Sequence, residues 1–570
     1  MLLFIRFGNV FRRLLAGFAL LAFAAIPGVA QQPSSNVAIQ VHADQPDGSL
    51  PPIWNYFGYD EPNYTYAPNG QKLLSELAAL CPVPVHIRAH NLFTTGDGSA
   101  SMKWGSTNVY TEDEHGNPIY SWEILDRIFD TYRARGIKPL IEVGFMPEAL
   151  STHPEPYRHT FPKGTIFTGW SYPPKDYGKW AELVFQFASH LRDRYGEEEV
   201  KTWLWEIWNE PDIPYWQGTA EEYFKLYDVS ANAILRALPD ARVGGPDSTG
   251  PANPKAAEFL RAFLEHCAHG RNFATGKIGA PLAFISFHPK GEVSWQSDHV
   301  QMGIRRQLAS IEAGFEIVAS FPEWRQTPIV LGESDPEGCA ACSARTYPQN
   351  SYRNEAVFAS YTAEVLNVIY DLVRRDHVNF TGAVTWSFEF EDQPYFEGLR
   401  ALATNGVDKP VLNAFRMFGL LGEERVKFFS SAAVPVDEIL RDGVRAEPDI
   451  NGIATRKDHE IEILLWNYDD EDLPAPPANI NLAISGLPAD ARRALLEHFR
   501  IDAAHSNSFT AWKEMGSPQS PTPAQYQQLE SAGQLQLLDS PSWISVERGS
   551  AHLQFALPRE GLSLVRLSWQ

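Results

Sequence analysis

Cysteine and methionine are scarce in this chain, four and six among 570 residues. Cys81, Cys267, Cys339 and Cys342 supply one Cys-x-x-Cys and no second, with no paired histidines close by, so a closed zinc site lacks its ligands. Four cysteines allow three full pairings, and the short spacing of Cys339 and Cys342 suits a local bridge that stiffens a loop. Nothing in the sequence calls for a metal or an organic cofactor. Basic residues are also in deficit: 48 Lys and Arg face 70 Asp and Glu, a formal charge of −22. Such a surface repels nucleic acid and anionic membranes and gives no long-range help in capturing a polyanion.

Long apolar runs are missing after the first thirty residues. Before that point, Arg6, Arg12 and Arg13 precede an apolar stretch from Leu14 to Ile26, and Gly28-Val29-Ala30 offers a small-x-small cleavage site. The run stops at Pro27, short of the ~20 residues a membrane span needs. Residues 1–30 are therefore expected to be a signal peptide, and the mature protein to be secreted or periplasmic, with no membrane attachment once it is removed. Its removal takes three arginines and no acid, leaving the chain more acidic still.

What is plentiful is aromatic: 16 Trp, 21 Tyr and 33 Phe. From residue 50 to 424, short β-type runs alternate with helical patterns, as in βα units around a parallel sheet. Leu125, Ile128, Phe129 and Tyr132 share a helix face before Gly136; Trp180, Leu183, Val184, Phe187 and Leu191 do so before Gly196. Eight candidate strands begin near Ile53, Val83, Lys138, Thr202, Arg242, Leu282, Pro328 and Thr381. The expected fold is α/β, a closed (β/α)8 TIM barrel. From 425 to 570 strands such as Glu460–Tyr468, Ile480–Ile484 and Leu562–Ser568 follow one another without long helices, which predicts an all-β sandwich. Residues 31–49 hold one short strand, Val37–Val41, expected to join it.

Barrels gather catalytic groups where their strands end. The fourth strand runs Trp205-Glu206-Ile207-Trp208-Asn209 into Glu210-Pro211, and the seventh runs Pro328–Gly332 into Glu333-Ser334-Asp335. Each glutamate alone reads equally well as an exposed strand end or half a salt bridge. Together, at strands that face each other across a barrel mouth, they form the carboxyl pair that glycosidic-bond cleavage requires. One must be protonated to release the leaving oxygen and the other ionised to attack the anomeric carbon; mutual repulsion helps separate their pKa values. Glu210 is the expected acid/base and Glu333 the expected nucleophile, with Asn209 placed to bond a sugar hydroxyl. Glu142 and Glu206, inside strands, are expected to be structural acids. Glu389, Glu391 and Asp392 follow strand eight and can either reach the pocket or line its rim.

Trp208-Asn209-Glu210-Pro211 resembles the acid/base motif of the large glycosidase clan built on (β/α)8 barrels. His86–His90, Gly144–Leu150, Phe284–His288, Lys409–Asn413 and Arg500–Asn507 with Ala511-Trp512 narrow the resemblance to glycoside hydrolase family 39, the family of β-xylosidases and α-L-iduronidases. The resemblance implies retention through a covalent intermediate on Glu333. It implies that Arg88 keeps the nucleophile ionised, that His90 and His288 contact sugar hydroxyls, and that Trp386 forms an apolar floor. Lys290 stands where the iduronidase branch has a carboxylate-binding lysine, and Glu333–Pro336 is similar to that branch too. Against this, the acidic charge favours a neutral substrate, and Lys290 can pair instead with Asp335 or an acid after strand eight. The expected partner is thus an oligo- or polysaccharide, the expected activity an exo-acting β-xylosidase. A uronic-acid glycosidase, an α-L-arabinosidase and an endo-acting hydrolase stay open as alternatives. A non-catalytic glycan-binding barrel is expected to have lost one of the two glutamates, and neither is lost.

Overall fold

The computed structural model describes residues 36–159 and 166–569; the expected signal segment lies outside them. Eight parallel strands close into a barrel in chain order: β1 Tyr56–Tyr59, β2 His86–Ala89, β3 Lys138–Val143, β4 Leu204–Ile207, β5 Arg242–Thr249, β6 Phe284–His288, β7 Ile329–Leu331 and β8 Phe380–Thr385. Closure runs through Val384 against Tyr56 and Thr385 against Phe57. All eight expected strands are present, within a few residues of where the sequence places them.

Side chains alternate between helices and barrel interior because the strand period is two. Trp205 packs outward on Phe187 of helix Tyr177–Tyr195, ring centroids 5.7 Å apart, while its neighbour Glu206 points inward to Arg88. Inside, the barrel fills in layers. Tyr56 and His86 stack at 4.4 Å toward the bottom, where burial holds His86 neutral with its pKa down to about 3. Arg88, Glu142 and Glu206 form the ionic layer above them. Helix Tyr177–Tyr195 begins on Asp176, which accepts from Gly178 and Lys179 amides, and stops at Gly196 with φ +88°. Those signals fix its length and hence where β4 starts.

Ten further strands form one sheet rather than two separate ones, and four two-stranded ribbons lie in the connecting loops. Segment Asn36–Ser49 is its hinge: it pairs antiparallel with Glu424–Ser430 and parallel with Ala478–Ser485. Pairing between Glu424–Ser430 and Asp449–Lys457 lasts only two residues, which lets the halves turn face to face around Ile39, Val41, Ile463, Leu465, Ile480 and Leu482. On strand Glu460–Tyr468 the opposite face, Leu464, Trp466 and Tyr468, joins the barrel core. There the Trp466 indole donates to Glu364 of helix Val357–Asp376 at 2.6 Å.

The stretch read wholly as sandwich carries helices as well, a short one at Val436–Asp442 and two more after Ile501. Helices Ser508–Glu514 and Pro523–Gly533 interrupt the sheet and set Phe509, Trp512 and Leu529 against Phe396 and Val407, which follow β8. The capping pair Thr522 and Gln525 starts the second helix, a short-range signal that the β-type reading passed over.

Candidate active site

The turn that carries Glu210 is held in an unfavourable backbone state. Trp208 and Glu210 have φ of +75° and +44°, and Asp247 across from them +55°. Such conformations cost roughly 1–3 kcal/mol each in a non-glycine residue and persist where surroundings enforce them. Here the Trp208 amide donates to Val143 O at 3.2 Å, its indole to Tyr215 O at 3.0 Å, and the Glu210 amide to Asp247 O at 2.9 Å. The result aims the Glu210 carboxyl at His288, whose Nδ1 lies 2.9 Å from Oε1.

Glu333 follows β7 and is almost wholly buried. Lys290 Nζ donates to its Oε2 at 2.6 Å, while Arg88 Nη1 and His90 Nε2 each stand 3.3 Å from Oε1. Burial alone would push this carboxyl up, but Lys290, His288 and His90 outweigh it and hold it well below the usual carboxylate range. Glu333 is therefore held ionised. His288 Nδ1 is 3.8 Å from Glu333 Oε1 as well as 2.9 Å from Glu210 Oε1, so those oxygens are no more than about 7 Å apart. That bound lies at the low end of the roughly 6.5–9.5 Å typical of inverting pairs and includes the ~5–5.5 Å of retaining ones.

Arg88 ties the site together. Fully buried, it donates through Nε to Glu206 at 2.6 Å and through Nη2 to Asn209 at 3.0 Å, pairs with Glu142 at 3.1 Å, and bonds Asp247 closely. Glu142 and Glu206 are thus the interior acids expected of them. Burial and Asp247 push Glu206 up to about 8 against the pull of Arg88. The Asn209 carbonyl is taken by Arg88; its amide nitrogen has no protein acceptor among the described residues and is free for a hydroxyl.

The residues expected to meet the sugar also have protein partners. Both ring nitrogens of His288 are engaged, Nδ1 by Glu210 and Nε2 by Asp247 at 2.6 Å. Burial opposes its charge, yet Asp247 and Glu333 raise it to about 10, so it donates to both acids. His90 is held by Asp60 at 3.0 Å, and Lys103 lies 3.0 Å beyond on the same Asp60. The Trp386 ring is buried beneath His90 at 4.3 Å and Arg88 at 4.9 Å, supporting those side chains rather than an open sugar face. Glu389 accepts from the Gly406 amide and Glu391 from Asn69, so neither reaches the catalytic pair. Arg88 was the expected guardian of the nucleophile; Lys290 has the stronger influence, and it also bonds Asp335 at 2.6 Å.

Sequence reasoning passed over Asp247, Asp60 and Lys103. Asp247 had one available signal, an acid at the C-terminal end of a barrel strand. A neighbouring glycine records its demand for space: a Cβ on Gly332 would sit 1.8 Å from Asp247 Oδ1. Arg88 and His288 share this carboxylate, and breaking a buried ion pair costs about 3–5 kcal/mol. Asp247→Asn, nearly isosteric, is expected to lower unfolding free energy by about 3 kcal/mol in urea titration. A midpoint equal to wild type contradicts the anchoring role.

The loop after β7 is braced separately. Cys339 and Cys342 form the local disulfide expected, and Cys81 and Cys267 are free. Buried Arg353 donates to the carbonyls of Cys339 at 2.6 Å and Cys342 at 2.8 Å and pairs with Glu337 at 2.5 Å.

The sequence profile described as glycosyl hydrolases family 39 matches residues 101–540. A β-xylosidase of Geobacillus stearothermophilus is 28% identical over 500 residues, covering 85% of this chain and 86% of its own. An α-L-iduronidase of Mus musculus is 26% identical over 377 residues, 62% of this chain and 56% of its own. A solved bacterial orthologue of human α-L-iduronidase superposes with a TM-score of 0.75 at 20% identity, covering 94% of this chain and 84% of its own. With a profile match across most of its length and a carboxyl pair at the mouth of a closed barrel, the chain belongs to glycoside hydrolase family 39 and is a glycosidase acting on carbohydrate.

Proposed function

We propose that this glycosidase is an exported, retaining, exo-acting β-xylosidase, with Glu333 as nucleophile and Glu210 as acid/base. The observation that carries the choice of sugar is the state of Lys290. Its ammonium already bridges Glu333 and Asp335 at 2.6 Å each, so a uronate carboxylate would have to compete with two carboxylates for it. A xylosyl ring has no carboxylate and needs no such competition. The cleft beside Glu210, about 210 Å³, is below the roughly 300–1,000 Å³ of pockets that enclose larger ligands, in keeping with a short leaving group. An ionised, lysine-held Glu333 supports retention, and the basic-apolar-small pattern of residues 1–30 supports export.

The same lysine supports a second reading. If substrate displaces Asp335, Lys290 is placed to hold a uronate, as in an iduronidase-like enzyme. Hydrolysis of the 4-nitrophenyl β-xyloside, α-L-arabinoside and β-glucuronide and of an aryl α-L-iduronide by the mature protein separates the readings. The expected result is release from the β-xyloside, with the others slower by at least about tenfold, or 1.4 kcal/mol in transition-state binding. Release only from a uronide establishes the second reading. Release only from internal linkages of a longer glycan establishes endo action.

A further inference from the structure

The cleft beside the catalytic pair is lined by Glu210, Thr249, Gly250, Asn253, His288, Lys290, Gly291, Arg306 and Ser310. Glu333 is absent from this lining. A proton donor must face the glycosidic oxygen, and the sugar ring under attack must lie over the nucleophile. Space that borders Glu210 but not Glu333 therefore lies on the leaving-group side.

The charge of this wall is opposite to that of the protein. In a chain of net charge −22, its single carboxylate is Glu210, set against Lys290, Arg306 and the doubly protonated ring of His288. Lys290 and His288 are satisfied by Glu333, Asp335, Glu210 and Asp247. Arg306 is not: exposed on the first turn of helix Ile304–Ala319, its guanidinium has no ion pair and no hydrogen bond among the described residues. Ser310, one turn further along, and Asn253 opposite add neutral polar groups. A planar, permanently charged fork of this kind matches a carboxylate or a sulfate ester.

We infer that Arg306 makes this cleft a leaving-group subsite for an acidic sugar, one bearing a carboxylate or a sulfate ester. The inference rests on Glu210 being the acid/base and is independent of which sugar occupies the nucleophile side. A glycosyl unit is then cleaved from an acidic acceptor, and discrimination extends to what departs.

Calorimetric binding of methyl β-glucuronide, glucose 6-sulfate and neutral methyl β-glucoside to the intact mature enzyme tests this without using turnover. At low salt one or both acidic sugars bind about five- to tenfold more tightly than the neutral one, and the tighter of the two identifies the group recognised. In Arg306→Gln that ratio falls to near one, and in wild type it shrinks as salt rises toward 0.5 M. Equal affinity for acidic and neutral sugars in wild type overturns the inference, as does a preference that survives in Arg306→Gln. A preference lost in Arg306→Gln alongside an enzyme inert on β-xylosides upholds this subsite and sinks the β-xylosidase reading alone.

Discussion

Glu333→Ala is expected to lower kcat on aryl β-xylosides by about 10⁴-fold or more, a loss of roughly 5.5 kcal/mol of transition-state stabilisation. The size follows from removing the atom that forms the covalent bond, with no second carboxylate able to replace it: Asp247 and Glu142 are locked on Arg88 behind it. The vacated space lies beside Lys290 and Arg88, both cationic, so a small anion such as azide is drawn into it. Azide then restores cleavage of activated substrates and yields a glycosyl azide of inverted configuration, because it attacks from the face Glu333 used. Turnover near the wild-type rate, or rescue with retained configuration, refutes the nucleophile assignment. The reactive form is the ionised one, and its pKa is depressed in the folded protein, so kcat/KM is lost only as pH falls below the usual carboxylate range. The stabilisation from its ion pairs has the same sense: present above the unfolded-state pKa, lost as pH falls through the folded-state value. Lys290→Met removes the foremost of the opposing charges and moves the acidic limb of the pH profile upward.

The barrel was legible because its signals are local. Alternation at Leu204–Ile207, the Gly196 stop and the helix face of Leu125, Ile128, Phe129 and Tyr132 each lie within one element. That Glu210 and Glu333 would meet was legible because strand ends in barrels converge by geometry. The rest of the site depends on contacts between distant segments. Asp247 meets Arg88 across 159 positions, and Lys103 reaches Asp60 from a loop with no periodicity to betray it. The protein partners of His90, His288 and Trp386 were not legible for one reason. Residue type and strand position tell which side chains enter the barrel mouth, but not which neighbours they meet there. An interior holding Glu142, Asp247 and Glu333 turns His90 and His288 toward carboxylates before any sugar arrives. The second sheet was legible as β structure, whereas its continuity through Asn36–Ser49 was not, since parallel pairing to Ala478–Ser485 joins opposite ends of the chain.

Glu210→Ala is expected to divide its effect according to the leaving group. Departure of 4-nitrophenolate needs little protonation, so the first step on an aryl β-xyloside slows only slightly. The second step still requires a base to activate water, and general acid/base catalysis contributes about 10²–10⁴-fold. The covalent xylosyl-enzyme therefore accumulates, giving a burst of nitrophenol followed by a slow steady state, with the mass increment mapping to the peptide that contains Glu333. On xylobiose, whose leaving hydroxyl must be protonated, the first step itself falls by about 10²–10⁴-fold and no adduct builds up. His288 sharpens the contrast: raised to about 10, it donates to Glu210 Oε1 over the working range, which leaves the other oxygen to exchange a proton with the substrate. An equal loss on both substrates, with no adduct on either, makes Glu210 a structural partner of His288 and moves proton transfer to another group.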